Sequence, residues 1–181
     1  MDVDILKVAV PLALAGLAGL SLLMSVIFNV TGTWERVPED GQSTGGVPER
    51  LTLGQFGPFV RGRREVPGGW QEYGGLMWGR GLKLTRRDFG VEALKRQHFP
   101  DVLAQKLSGD VFAELRLNLT DGGLSLEGTF TPQKIDFLLA PPRITQRYWM
   151  PPVPRAYRRV SAVELEEASQ VGVGVKDVEP A

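Results

Sequence analysis

The sequence predicts a mainly β protein: a single N-terminal transmembrane helix followed by one antiparallel β-barrel or β-sandwich domain with a short helical insertion. Three observations carry this expectation. Residues 8–34 contain no charged side chain, and about 20 apolar residues in a helix span a bilayer core. Residues 110–131 alternate apolar and polar on both sides of Asp121-Gly122-Gly123, the pattern of a hairpin with a tight turn. Between residues 88 and 108 the apolar spacing changes to three and four, which is helical. The expected layout is an anchor over 1–30, a flexible linker over 31–50, a β-rich domain over 51–160 with its helical insertion at about 89–108, and an acidic helix or tail over 161–181.

The anchor is expected to be helical because lipid offers the backbone no other partner. Pro11 falls in its first turn, where a missing N–H costs little. A cleaved signal peptide fits less well. Asp2 and Asp4 stand where a basic segment belongs, and no small-x-small cleavage site follows the run. Ala15, Gly16 and Gly19 form a candidate helix-packing face. The expected location is the cell (inner) membrane, single-pass. The flanking basic residues tie, and the absence of a Lys/Arg cluster after the run leans toward a non-cytoplasmic domain.

Residues 31–50 are rich in Gly, Pro, Ser and acids and read as a linker. Residues 51–64 read as one irregular strand bent at Gly57-Pro58, and Val66-Pro67-Gly68-Gly69 as a turn. Residues 70–86 read as a hairpin, with Leu76, Trp78, Leu82 and Leu84 sharing a face and glycines at bulges. Pro100 splits the helical insertion in two, and Gly109 closes it. After the 110–131 hairpin come a strand at 135–139, a strand at 143–150 and a last edge strand at 155–160. Ser161 with Glu164 forms a capping box for a short helix.

Net charge is zero but segregated: −4 over residues 1–49, +8 over 50–160 and −4 over 161–181. A basic domain suits anionic headgroups or an acidic partner. Arg61, Arg63 and Arg64, or Arg155, Arg158 and Arg159, are the candidate interaction surface, since both clusters border predicted strands. The alternative is that they solvate the surface or pair with Glu164, Glu166 and Glu167. No basic patch is interleaved with regularly spaced aromatics, so no nucleic acid is expected.

The chain has no Cys and one His. Disulfides, thiol catalysis and Cys- or His-rich metal sites are therefore excluded. His98 sits on the apolar side of a helical segment with no triad to join. The many glycines of residues 54–81 lack the strand–loop–helix order of a phosphate loop and suit a curved sheet. No cofactor, metal or catalytic residue is expected. Gly68-Gly69-Trp70 resembles the Gly-x-Trp that opens lipocalin barrels, a likeness of three residues that assigns no family. The leading expectation is a non-enzymatic, membrane-anchored interaction, assembly or accessory subunit. Its partners would be the bilayer, protein subunits of a membrane complex and anionic lipid. The alternatives are a tethered barrel that binds a lipid or other small apolar ligand, and a membrane-anchored hydrolase.

Overall fold

The computed structural model describes residues 7, 9–13, 15, 16, 19, 20, 23, 27–38, 48–161 and 164. Nine strands form one antiparallel sheet: β1 Gly32–Val37, β2 Arg50–Phe56, β3 Phe59–Val66, β4 Gly69–Trp78, β5 Gly81–Phe89, β6 Val111–Thr120, β7 Ser125–Leu139, β8 Pro142–Trp149 and β9 Val153–Arg159. Strands β1 to β7 pair in chain order. Strand β9 then lies between β7 and β1, with Leu126 opposite Tyr157 and Trp34 opposite Arg159. Eight strands therefore close a barrel, which leaves no unpaired edge inside it. Strand β9, expected at an edge, is the strand that completes the cylinder.

Barrel formation follows from period-two patterning. Leu51 and Leu53, Tyr73 and Met77, Leu82 and Leu84, and Leu115, Leu117 and Leu119 alternate with exposed neighbours and point inward. With Val30, Trp34, Leu126 and Tyr157 they fill one continuous core. Val30 and Trp34 plug the end where the chain enters, and the Trp34 indole donates to Val30 O at 2.8 Å.

Two differences in the strands have physical causes. The expected bend at Gly57-Pro58 is the turn of a β2–β3 hairpin, with Phe56 opposite Phe59. A positive φ of 56° at Gly57 reverses the chain there. Leu76 and Trp78 face out, at 52% and 85% exposure, while Met77 faces in. The turn at Gly79-Arg80 exchanges parity, so Leu82 and Leu84 pack inward without them. Gly32–Val37, read as linker, forms β1 because alternate positions 34 and 36 face the barrel interior.

Helices α1 Val91–Lys95 and α2 Asp101–Leu107 join β5 to β6. They pack a second core of Leu94, Leu103, Ala104, Leu107 and Phe112 against Ile135, with Phe99, Phe137 and Ile144 at its margin. Ile135, Phe137 and Ile144 lie on an arm in which the second half of β7 pairs with β8 alone. Phe112 is the residue left unpaired on β6 between the partners of Arg86 and Arg87, and it packs against the helices.

The expected transmembrane anchor is corrected. Part of 1–30 lies outside the described residues, and among the described residues no helix is long and apolar enough to cross a membrane. The single-pass assignment, the inner-membrane location and the bilayer partner rested on that helix and fall with it, and the anionic-lipid partner and the role as a subunit of a membrane complex, read from the basic domain, lose the membrane attachment they assumed. Ala15, Gly16 and Gly19 are exposed, and a Cβ at Gly16 or Gly19 would meet nothing within 4 Å, so no packing partner lies on that face among the described residues.

Candidate functional site

Inward parity continues past the apolar core at the helix-covered end of the barrel, where the residues become polar. On β5 the inward series Leu82, Leu84 is extended by Arg86 and Asp88. On β3 Val60 is followed by Arg64, on β4 Met77 and Tyr73 are preceded by Gln71, and on β9 Tyr157 is preceded by Arg155. Arg36 of β1, Phe130 of β7 and Glu49, just before β2, complete the set.

These side chains form a closed ring around the mouth. The Glu49 carboxylate lies 3.1 Å from Arg64 Nη1, 3.4 Å from Arg155 Nη1 and 3.6 Å from Arg36 Nη1. Gln71 Oε1 accepts from Arg64 Nη1 at 3.5 Å and from the Tyr73 hydroxyl at 3.1 Å, and Gln71 Nε2 donates to Asp88 Oδ2 at 3.3 Å. Asp88 pairs with Arg86, its Oδ1 lying 2.9 Å from Nε. The Phe130 ring closes the circuit, with Arg86 at 5.5 Å and Arg155 at 4.6 Å from its centroid. From beyond α1, Gln97 Nε2 reaches Asp88 Oδ2 at 3.4 Å.

Four guanidinium groups thus face two carboxylates. Among the described residues of the ring, two positive charges are left without a counter-charge. The Asp88 side chain is 3% exposed and that of Arg155 10%, whereas Arg36 and Arg64 keep 29% and 28% of theirs open to solvent. Arg155 Nε is buried without a hydrogen-bond partner among the described residues. Below the ring, burial raises the phenol pKa of both Tyr73 and Tyr157 above the ordinary value, so both remain hydrogen-bond donors at neutral pH. The arrangement offers fixed, partly desolvated positive charge, suited to receiving an anion.

The arginines singled out from the sequence are divided by the structure. Arg61 and Arg63 point outward and line an open groove of about 830 Å³ with Thr52, Glu72, Thr85 and Arg87. Arg63 is engaged there by Glu65 at 2.7 Å and lies over Trp70. Arg64 and Arg155 point inward and join the mouth ring. Arg158 bridges Glu35 and Glu164, both at 2.8 Å. Arg159 stacks on Trp34 at the opposite end and donates to Asn29 O at 2.6 Å. His98 is exposed and held at a φ of 69°. Among the described residues no group of three His, Asp or Glu is placed to hold a metal.

Sequence reasoning missed Arg36, Glu49, Gln71, Arg86, Asp88 and Phe130. The signal was present: an apolar parity that a charged residue continues at the strand end marks an inward charge. Comparison with protein-family models, with curated proteins and with solved structures finds no match. The fold and site define a class only, a closed eight-stranded antiparallel barrel with an arginine-lined mouth.

Proposed function

We propose that this domain is a non-catalytic binding module that receives the anionic group of a small ligand at the arginine-lined mouth of the barrel. The observation that carries this reading is the ring itself, with four inward arginines against two carboxylates at the end of an otherwise apolar interior. Burying charge without compensation is costly. The opposite end is filled by Val30, Trp34 and Leu53 with a single arginine, Arg159, over Trp34, against four arginines here. A non-catalytic role accords with the use of both carboxylates as arginine partners.

The test is thermal unfolding of the full chain in inorganic phosphate, sulfate or succinate, against chloride at equal ionic strength. A ligand that binds only the folded state stabilises it by about 2.7 kcal/mol at a hundred times its Kd. Tm should rise saturably with at least one of these anions. Arg64→Gln combined with Arg155→Gln should abolish the rise, and Arg61→Gln with Arg63→Gln should leave it intact. Loss of the effect in the outer-face variant alone, or no saturable effect with any anion, would reject the mouth as the binding site.

A further inference from the structure

Glu49 is held more loosely by its arginines than Glu35 is at the other side of the same barrel wall. Glu35 sits 3.0 Å from Arg50 Nε and 2.8 Å from Arg158 Nη2, the range of a tight charge-assisted bond. Glu49 has three guanidinium groups around it, at 3.1, 3.4 and 3.6 Å, and only the contact from Arg155 Nη1 has hydrogen-bond geometry. Arg155 Nε, in a side chain only 10% exposed, has no partner among the described residues. Three arginines from three strands thus share one carboxylate, and only one of the three contacts is a hydrogen bond. A tetrahedral group with more acceptor oxygens fills such a seat better.

We infer that Arg36, Arg64 and Arg155 form a seat for a phosphate group, and that Glu49 is a resident carboxylate which a phosphate-bearing ligand displaces. The inference rests on the binding reading above and adds the ligand chemistry and a built-in competitor. Displacement requires only a side-chain swing. The Glu49 backbone is held separately, by Arg36 N–H donating to Glu49 O at 2.8 Å. With Glu49 released, the seat carries three uncompensated positive charges. Asp88 is not a competitor of the same kind: it is 2% exposed and takes hydrogen bonds from Gln71, Arg86 and Gln97.

The experiment is calorimetric titration of inorganic phosphate into the full chain and into its Glu49→Gln variant, with acetate as a second titrant. Removing a unit charge about 4 Å from the seat is expected to tighten phosphate binding by roughly tenfold or more. Acetate, a carboxylate like the one it would replace, should bind more weakly than phosphate to both proteins. In the parent, the Glu49 side-chain carboxyl carbon resonance should move with phosphate and saturate with the calorimetric Kd. That readout needs no variant and holds if Glu49→Gln fails to fold. Phosphate binding that is equal or weaker in Glu49→Gln, or a Glu49 resonance that stays still while phosphate binds, overturns the displacement and leaves the binding reading standing. Acetate binding as tightly as phosphate overturns the phosphate assignment. Absence of binding of either anion to both folded proteins removes the reading and the inference together.

Discussion

Three glutamates show what the same side chain does in different settings. Glu49 is loosely shared among arginines. Glu35 feels burial, which pushes its carboxyl up, but hydrogen bonds from Arg158 and Arg50 outweigh this and hold it below its ordinary value. Glu164 is held down to about 2, first by its hydrogen bond from Arg158 and then by Ser161 N–H and Oγ–H. A folded-state pKa below the unfolded one means stability that is complete above the ordinary carboxylate range and is lost as pH falls through about 2. In a carboxyl-carbon titration Glu164 should therefore turn near pH 2, and Arg158→Gln should move its midpoint up toward the ordinary value. A parent midpoint above pH 4 would contradict the contact. Glu164 was legible in the sequence because Ser161-x-x-Glu164 is a local pattern, and Glu164 N–H donates to Ser161 Oγ at 3.3 Å as a capping box requires. The mouth ring was not legible. Its members come from six strands and the residue before β2, and no spacing along the chain brings them together.

At the scale of elements, local signals served and non-local ones failed. The 111–139 region reads as strands because alternation and turn residues lie side by side, and Gly122 takes a φ of 64°. The two helices follow from Pro100 and the three–four spacing. The inward parity of β4 was misread because the turn at 79–80 hides which residues change face. The closing role of β9 depends on a pairing with β1 across more than a hundred residues. Two predictions belong here. Gly128 faces inward where a Cβ would run into the Arg116 carbonyl and close on Leu117 Cα at 2.9 Å. Gly128→Ala should lower unfolding stability by about 1–3 kcal/mol in urea titration, as overpacking does. An unchanged midpoint would show that β6 and β7 give way easily. Leu107, fully buried between the helices and the arm, should cost about 2–5 kcal/mol when cut to Ala. Hydrogen exchange should then rise in α1, α2 and the β7–β8 arm before it rises in the barrel. Uniform acceleration would mean that the two cores unfold as one.

For the molecule as a whole, closure separates two ends with different chemistry. One is plugged by Val30 and Trp34, and the other is ringed by arginines. Composition foresaw a basic domain of net charge +8 between acidic ends, but not that part of that charge turns inward. The expectation of an anchored chain came from the uncharged run and the missing cleavage site, and it fails because no helix among the described residues is long and apolar enough to cross a membrane. The central claim, that the arginine ring is an anion receptor, is tested most directly by following every arginine Nε–H resonance of the full chain during a phosphate titration at constant ionic strength. The account predicts that Arg36, Arg64 and Arg155 shift together and saturate with one constant, while Arg61, Arg63 and Arg87 drift slightly without saturating. Saturation confined to Arg61, Arg63 and Arg87, with the ring resonances unmoved, would contradict it.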